Sequence, residues 1–572
     1  MGILKTIWTK NWPFFISLII SLSLLWPLLA APFFTHHDDV QTIRLYEMDR
    51  CFKDNQFPCR WVPDLGGEYG YPLFNYYAPL PYYFGELIYL LTHNLIISAK
   101  IMFATSFIGS FLFMYLLSRK LWGNLGGSLS ALFYALAPYH ALDFYVRGAM
   151  GEMWGLMFYP AIIWAFVRLK EKCSIVNLLL SAIFIAGLVI SHNLSTMLFL
   201  PVILFSLAVL FFKKREMKFL YFSLLSLILG VMLSSFYLLP MLFEKDLVHV
   251  DTTTIGYFSY TEHFKGLKKL FLDRSWGYGG SIREVPGGEK DGISYQIGWI
   301  HLIGWLLALY TAKIIWNKNK EISTIIILSS TYIILSIFMV NPRSEIIWKM
   351  IPSLKYLQFP WRFLLVIIFF VSFISGSFFI LDRKNKKVIW IILTFLVLIF
   401  NFSYFRPEKF IQINDQELLS GKNWEKQIKR SIFDYLPIYA KEPPADLALS
   451  RYQVLTGDSK ILDFKEGSNW LSFKTETNTH TIIRLSQYYF PDWRIFVDGK
   501  EMKVEYKNNS LGLMTIILGE GIHKIEGRLY DTPIRSISNY LTVAAAAIIL
   551  FLFTAQISKV RKWVSYYRKR IN

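Results

Sequence analysis

Long apolar runs recur along the whole chain, and they constrain its fold more than any other feature. Each run has roughly 17 to 25 residues, the length a helix needs to cross about 30 Å of hydrocarbon. Composition agrees, because 54% of the 572 residues are hydrophobic and only 18% are charged, too apolar for an ordinary soluble enzyme. Lipid leaves no water to satisfy an open strand, so the runs are predicted to be helices. We therefore expect a polytopic integral membrane protein.

The sequence predicts about twelve transmembrane helices. Their apolar cores lie at 12–33, 95–117, 125–138, 151–166, 175–190, 194–212, 219–242, 297–315, 323–340, 363–380, 388–404 and 540–553. The first run is long, lacks a small-residue cleavage site and precedes further spans, so we interpret it as a retained anchor rather than a signal peptide. The apolar run at 81–91 is short, which favours an interfacial or re-entrant segment.

Positive charge in the short loops predicts the orientation, since Lys and Arg mark the cytoplasmic side. Every second loop is basic, with clusters at 5–10, 119–120, 168–172, 213–215, 313–320, 383–387 and 561–570. About twelve crossings place all of these clusters on one face of the plasma membrane, with both termini in the cytoplasm. The net charge of +19 then reflects topology and attraction to anionic membrane lipids. Nucleic acid is not an expected partner.

This orientation divides the chain into three parts. A multispanning domain covers 1–405 and carries two long external segments, 34–80 and 245–296. An external domain covers 406–539, and the last span with a basic cytoplasmic tail covers 540–572. The external domain alternates polar and apolar residues between glycine turns, which predicts antiparallel strands in a small sandwich. Its aromatic run at 488–493 suits either a sugar platform or ordinary core packing.

The sharpest signal is the sequence His-His-Asp-Asp at 36–39, directly after the first span and therefore at the membrane surface. Carboxylates at an interface can act as general base for an acceptor hydroxyl, or hold a divalent cation such as Mg²⁺ or Mn²⁺ beside a phosphate. The alternative is that Asp38 caps the N-terminus of a following helix, which needs no chemistry. Asp38 and Asp39 are the candidate catalytic residues and metal ligands, and His37 is a candidate substrate-binding residue.

A helix over 38–53 is predicted after this motif. It would bring Asp39, Ile43 and Glu47 near one another at spacings of four residues. Arg44 would lie on the neighbouring face, where it is a candidate for binding substrate.

Two cysteines lie in the same external loop, Cys51 and Cys59. In an oxidising compartment a disulfide between them would close the loop, and two free thiols are the alternative.

Further polar residues are predicted at the same depth on the outer face. They are Arg147 with Glu152, His192 with Asn193, and Trp361 with Arg362. Each alone has a plain explanation, because Arg snorkels to head groups, His caps helices and Trp belongs to aromatic belts. Together with the carboxylates they supply what binding a phosphate beside a reacting hydroxyl requires, since Arg offers forked donors to phosphate oxygens.

The centres of the spans are almost free of Asp, Glu, Lys and Arg. An ion-coupled carrier usually keeps ionisable groups near the midplane, so secondary transport is disfavoured. Chemistry or recognition at the outer surface is favoured, with a lipid-borne substrate arriving laterally.

These motifs resemble the GT-C superfamily of polyprenyl-phosphate-sugar-dependent glycosyltransferases. More narrowly, the chain resembles the multispanning branch described as the 6-pyruvoyl-tetrahydropterin synthase-related membrane domain, with YfhO-type cousins. The resemblance covers nearly the whole chain and is carried by His37-Asp38-Asp39, Arg147-Gly148 with Glu152, His192-Asn193, Phe359-Pro-Trp-Arg362, Tyr489-Phe-Pro-Asp-Trp493 and Val497-Asp-Gly-Lys500. It implies a GT-C-like, mainly α-helical membrane fold with an external β-sandwich-like domain before the last transmembrane helix.

The resemblance also implies a reaction. A hexose or pentose would pass from an undecaprenyl- or dolichyl-phosphate donor to a glycan, lipid or protein acceptor in envelope assembly, with inversion by direct displacement. Asp38 or Asp39 would deprotonate the acceptor or hold a metal, while Arg147, His192 and Arg362 would contact the donor phosphate. The pterin part of the description finds no support, because the sequence lacks the clustered histidines of a catalytic zinc site.

Two other functions stay open from the sequence. A non-catalytic envelope protein could bind or position lipid-linked glycans with the same groove and external domain. A lipid-linked-sugar flippase would need a polar path through the membrane, which the apolar span centres do not offer. The sequence has no glycine-rich phosphate loop, which argues against direct use of a nucleotide sugar.

Overall fold

The computed structural model describes residues 2–283, 291–381, 384–430 and 435–571. Of residues 2–10, 213–214, 430 and 558–571 it describes the backbone alone. The basic positions 5, 10, 213, 214, 383 and 561–570, which support the predicted orientation, therefore lie outside the described side chains.

Helices make up most of the described chain. In its first half they are α1 Gly2–Ser23, α2 Pro27–Ala30, α3 Gln41–Lys53, α4 Leu73–Tyr76, α5 Leu80–Thr92, α6 Leu95–Ala135, α7 Pro138–Ala141, α8 Met150–Glu171, α9 Ile175–Ser191, α10 Asn193–Lys214, α11 Met217–Leu233 and α12 Ser235–Phe243. In its second half they are α13 Leu267–Phe271, α14 Trp299–Ile315, α15 Lys320–Val340, α16 Glu345–Met350, α17 Leu364–Ser375, α18 Lys386–Asn401, α19 Asp415–Leu418, α20 Gly421–Arg430 and α21 Pro533–Ile571.

Long apolar helices coincide with the predicted spans. Within the described residues, seven are long and apolar enough to cross a membrane, or eight if the bent pair α11 and α12 is one span. Three more apolar helices are shorter, at Asn11–Ser23, Ile175–Ser191 and Trp299–Ile315. The protein is thus mainly helical and membrane-embedded, while the number of crossings and the orientation stay predictions.

Two predicted spans share the long helix α6, which is broken at Gly123 by a non-helical backbone. A glycine permits the φ of +71° found there. The Tyr115 hydroxyl donates to Asn124 Oδ1 at 2.7 Å across the break, and Gly127 packs closely on the backbone of Arg119. The chain therefore reverses here, as two separate spans require.

The first predicted span is shorter as a helix than its apolar run. Helix α1 ends at Ser23, and the short α2 begins at Pro27. A proline lacks the N–H that a continuing helix needs but suits a first helical position, so the chain turns before it. The remaining apolar residues lead into strand β1, Phe33–Phe34.

The C-terminal part folds into β-sheets, as the alternating pattern predicts. Its strands are β2 Phe410–Ile411, β3 Tyr452–Thr456, β4 Ser459–Glu466, β5 Trp470–Thr477, β6 Thr481–Tyr488, β7 Trp493–Val497, β8 Lys500–Met502, β9 Leu513–Leu518 and β10 Gly521–Leu529. A five-stranded antiparallel sheet has the order β4-β5-β10-β7-β8, and a three-stranded one has the order β3-β6-β9. Buried residues from both sheets, such as Phe473, Ile495 and Ile516, share one core.

A buried polar cluster fastens this β-region to the helices. Arg535, at the start of α21, donates from Nε to Glu244 Oε2 at 2.9 Å, and Thr532 donates to the same carboxylate. Asn75 of α4 donates to Glu244 Oε2 at 3.1 Å, and Arg60 donates to Asn75 Oδ1 at 3.1 Å. Three distant parts of the sequence therefore meet at one carboxylate.

We predict that Glu244→Gln destabilises the protein strongly. The side chains of Glu244 and Arg535 are 5% and 1% exposed, and removing one partner of a buried pair costs about 3–5 kcal/mol. Thermal unfolding of the detergent-solubilised protein measures the loss.

The matched control is Glu505→Gln, which removes an exposed partner of Lys503 at 3.7 Å and should cost about 0–1 kcal/mol. Equal shifts in Tm for the two variants would contradict a structural role for the buried pair.

Candidate functional site

The acidic motif is held against the Arg147 turn by its own backbone. The short strand β1 pairs antiparallel with β2, and the chain then runs beside the residues before α8. The backbone N–H of His37 donates to Val146 O, and that of Asp38 donates to Arg147 O, both at 2.9 Å. Two motifs that the sequence singled out separately are therefore adjacent.

The turn itself depends on Gly148. A π-helical segment, Leu142–Arg147, ends at this glycine, which has a φ of +63°. A Cβ at Gly148 would overlap the ring of His36, and Gln41 donates from Nε2 to the Gly148 carbonyl at 2.9 Å. Only glycine combines this conformation with so close an approach.

Glu152 is the centre of a buried ion network. Arg147 binds it in a bidentate fashion, Nη1 to Oε2 at 2.7 Å and Nη2 to Oε1 at 2.8 Å. Arg362 donates from Nε to Glu152 Oε1 at 2.8 Å. The Tyr139 hydroxyl donates to Oε2 at 3.1 Å, and Asp143 also accepts from Arg147. Two guanidinium groups thus face two carboxylates.

Trp361 forms a wall of this network. Arg147 lies over its ring, with Cζ 4.7 Å from the centroid, and the indole Nε1 donates to Ser281 Oγ at 3.1 Å. The sequence predicts phosphate binding by Arg147 and Arg362, and that role stays a prediction. In this structure both guanidinium groups already have carboxylate partners, so they are better suited to positioning the motif.

Asp38 has an open carboxylate. It is exposed, and among the described residues no side chain or amide lies within hydrogen-bonding or ion-pair distance of it. Desolvation nevertheless raises the pKa of its carboxyl group against the opposing effects of Arg44, Arg147 and His37, and we call the environment that these groups share the cleft of Asp38. The interpretation of Asp38 as a helix cap is wrong, because α3 begins at Gln41 and Val40 stands at the N-cap.

Arg44 is the buried cation of this cleft. Its residue is 9% exposed, its guanidinium lies 4.0 Å over the Tyr77 ring, and Nη1 reaches the Tyr82 hydroxyl at 3.4 Å. Its Nε has no hydrogen-bond partner, and within the described chain no carboxylate lies within 4 Å of it. A buried charge without a close counter-ion is costly, so this geometry favours an anionic ligand.

Asp39 faces a different environment. Its carboxylate lies 3.2 Å from Lys426 Nζ of α20. It also lies outside α3, so the predicted Asp39-Ile43-Glu47 face is incomplete; Ile43 and Glu47 are in the helix and are both fully buried.

The two adjacent carboxylates do not form a convincing cation site. Lys426 pairs with Asp39, while Arg44 and Arg147 act on Asp38 electrostatically from beyond ion-pair distance. These positive charges oppose a divalent cation. In the described residues no group of three or more His, Cys, Asp or Glu is arranged to hold a metal ion. Binding of Mg²⁺ or Mn²⁺ by Asp38 and Asp39 therefore stays a prediction without geometric support.

The remaining predicted site residues have structural contacts. His192 caps α10, because its Nδ1 accepts from the Ser195 backbone N–H at 3.2 Å, and Asn193 Oδ1 accepts from the Leu194 N–H at 2.9 Å. The exposed His37 places Nε2 2.9 Å from Tyr278 O.

Cys51 and Cys59 form the predicted disulfide, with their Cα atoms 5.6 Å apart. It closes the loop that follows α3.

Sequence reasoning missed several residues of the site. Asp143 lies four residues before Arg147, a helical spacing that could have suggested their pairing. Gln41, Tyr77 and Tyr82 carried no such signal, because only the fold brings them to the turn and to Arg44.

Residues 74–407 match the family described as 6-pyruvoyl-tetrahydropterin synthase related domain, a family of membrane proteins. The match covers more than half of the 572 residues. The chain belongs to this family. The matched range includes Arg147, Glu152 and Arg362, whereas Asp38 and Arg44 precede it.

Other proteins are similar over parts of their length. An uncharacterized protein of Lactococcus lactis subsp. cremoris is 26% identical over 199 residues, which are 33% of this chain and 32% of that protein. The arabinofuranosyltransferase AftD from Mycobacteria has a TM-score of 0.44 and 14% identity, covering 70% of this chain and 27% of that one. The apo oligosaccharyltransferase of Archaeoglobus fulgidus has a TM-score of 0.43 and 11% identity, covering 77% of this chain and 61% of that one.

We predict that Gly148→Ala disrupts the site. An alanine in this left-handed conformation costs about 1–2 kcal/mol, and its Cβ additionally overlaps His36. Thermal unfolding should therefore show a loss of stability larger than backbone strain alone.

The control is Gly499→Ala. Gly499 also has a positive φ, of +79°, but no neighbouring atom lies within 4 Å of the place that an alanine Cβ would take. If both alanine variants lose the same stability, the close packing of His36 on Gly148 has no energetic role.

Proposed function

We propose that this protein transfers a sugar from a polyprenyl-phosphate donor to an acceptor hydroxyl at the outer face of the cell membrane. One observation carries the proposal: the open carboxylate of Asp38 and the buried guanidinium of Arg44 share a cleft, and neither has a close ionic partner among the described side chains. The resemblance to GT-C glycosyltransferases in the same motif supports it.

Arg44 binds the donor phosphate in this proposal. A phosphate supplies the counter-ion that the buried guanidinium lacks, and forked N–H donors match its oxygens. The Tyr77 ring packs against the Arg44 guanidinium. The Tyr82 hydroxyl, which accepts from Arg44, donates to Gln41 Oε1. The cation is thus fixed before the donor arrives, so little reorganisation is needed.

Asp38 acts as the general base. The acceptor hydroxyl attacks the anomeric carbon, its proton passes to Asp38, and the bond from that carbon to the phosphate oxygen breaks. The polyprenyl phosphate leaves with the electron pair, and Arg44 stabilises the charge that develops on it. Direct displacement inverts the anomeric configuration, and a raised pKa makes the carboxylate a better proton acceptor.

The Glu152 network positions this base. The backbone carbonyl of Arg147 accepts a hydrogen bond from the Asp38 N–H. The side chain of Arg147 is held by its two hydrogen bonds to Glu152. Arg362 donates to Oε1 of the same carboxylate. Arg147, Glu152 and Arg362 are therefore positioning residues in this proposal.

The test is transfer of labelled sugar from a panel of undecaprenyl-phosphate-linked donors by the purified protein in lipid. We predict that Asp38→Asn lowers kcat by about 10²–10⁴-fold, the usual contribution of a general base. Asp39→Asn is the matched control, because its carboxylate pairs with Lys426, and it should retain most activity.

Other outcomes distinguish the alternatives. Donor binding without transfer across the panel would favour a non-catalytic lipid-linked-glycan binder. Equal losses in both Asn variants, together with loss of activity in a chelator, would favour a divalent cation held by the two carboxylates.

The pH dependence of the reaction gives a second test. Asp38 must be ionised to accept a proton, and its pKa lies above its usual value of about 3.9. Activity should therefore rise with pH through this raised pKa and be lost as the pH falls through it. Arg44→Gln removes a positive charge that lowers the pKa of Asp38. The acidic limb of the pH–activity profile should therefore move to higher pH, and the variant should also bind the donor more weakly.

The profile of kcat/KM against pH measures this shift. Arg494→Gln, on the exposed surface of the β-region, should leave the limb unchanged. A limb that moves to lower pH in Arg44→Gln would contradict the electrostatic link between the two residues.

A further inference from the structure

Three tyrosines form a compact cluster on the surface of the β-region. The rings of Tyr489 and Tyr506 are parallel, with centroids 3.8 Å apart and an interplanar angle of 2°. Tyr439 meets both edge-on, at 5.1 Å from Tyr489 and 4.9 Å from Tyr506. All three side chains are half-buried, so part of each ring faces solvent.

The cluster lies at the margin of the hydrophobic core. The aromatic run at 488–493 contributes to both the core and the tyrosine cluster. Tyr488, Phe490 and Trp493 are buried in the core, whereas Tyr489 is half-buried and packs against the core. Core packing, one of the two interpretations of this run, therefore explains most of it but not the solvent-facing part of Tyr489.

The three hydroxyl groups are available for a ligand. Among the described residues none of them donates to or accepts from another group, unlike the buried tyrosines of the site. Tyrosine combines an apolar ring with a polar tip, so partly exposed tyrosines typically bind amphipathic partners. A sugar ring has this character, since its C–H face packs on aromatic rings while its hydroxyl groups form hydrogen bonds.

The backbone beneath the cluster is held from several sides. Asn509 accepts from the Leu513 N–H at 2.8 Å and donates to Leu513 O at 3.0 Å, which fixes the loop that carries Tyr506. The Tyr489 N–H donates to Gly512 O at 2.9 Å, and the Lys441 N–H donates to Ser510 O at 2.8 Å. Preorganised aromatic groups lose little entropy on binding.

A continuous set of contacts connects this cluster with the Glu152 network. His249 Nε2 lies 2.7 Å from Ala440 O, next to Tyr439. The short 3-10 helix Val250–Thr254 follows, and Gln358 donates from Nε2 to Thr253 O at 2.9 Å. Gln358 Oε1 in turn accepts from Arg362 at 2.9 Å. At about 2 Å per residue, His249 and Thr253 are about 8 Å apart.

We infer that Tyr439, Tyr489 and Tyr506 bind the glycan part of the acceptor, away from the reacting hydroxyl. This inference rests on the proposed function for the identity of the reaction. The ligand class is an oligosaccharide, which can extend from the tyrosines toward the cleft of Asp38. The cluster sets acceptor affinity and takes no part in the chemical step.

The experiment uses the full-length protein in lipid nanodiscs with two readouts. In the transfer assay, Tyr489→Ala with Tyr506→Ala should raise the acceptor KM about 3- to 10-fold, with kcat and the donor KM unchanged. Tyr489→Phe with Tyr506→Phe retains the stacked rings and should lie between the alanine variant and the wild type. Tyr530→Ala is the control, because Tyr530 is also exposed but packs against Phe496 on the five-stranded sheet.

The second readout needs no catalysis. The same proteins are applied to an array of defined pyranose and furanose oligosaccharides, where the wild type and Tyr530→Ala should be retained and the double alanine variant should not. Retention without any transfer would support the glycan site while contradicting the proposed reaction. An unchanged acceptor KM, or no retention of the wild type on any oligosaccharide, would overturn the inference.

Discussion

The neutralisation of Glu152 is the interaction on which the site depends. A fully buried carboxylate is tolerated only when it is paired and hydrogen-bonded, and Glu152 receives donors from Arg147, Arg362 and Tyr139. Arg147 comes from the turn before α8, and Arg362 comes from the start of a later apolar helix. Their common partner holds these elements together at one end of the helical region.

This pairing also determines which charges remain for a ligand. Because Arg147 and Arg362 are already neutralised, the buried cation without a close carboxylate is Arg44, within the described part of the cleft. Asp38, in the same cleft, likewise has no cation within ion-pair distance among the described residues. A donor phosphate and an acceptor hydroxyl would complete both environments, so the proposed chemistry follows from an imbalance of charge rather than from a count of polar residues.

The β-region is attached to the helical region through buried polar contacts rather than through one linker. Glu244, Arg535 and Asn75 come from different parts of the sequence and meet in one cluster, and β1 pairs with β2 beside the acidic motif. Such contacts join distant parts of the sequence at several points.

The sequence by itself determined the local features. The apolar runs predicted the helices, because lipid requires about 20 apolar residues for each crossing, and the alternation after residue 406 predicted the strands, because side chains alternate along a strand. The motif at 36–39 was likewise evident from a short-range pattern, whereas the Cys51–Cys59 disulfide was one of two alternatives that the sequence left open. The end of α1 near Pro27 differed from the apolar run, since hydrophobicity does not mark where a helix stops.

Only the tertiary structure decided which charged residues are partners. Glu152 and Arg362 are separated by 210 residues, and Asp39 and Lys426 lie on different elements, so no spacing rule relates them. Sequence reasoning assigned the phosphate to Arg147, His192 and Arg362, and it could not show that Glu152 pairs with both guanidinium groups. Ion pairing depends on distances of a few ångströms between remote segments, and those distances are set by the packing of the whole fold.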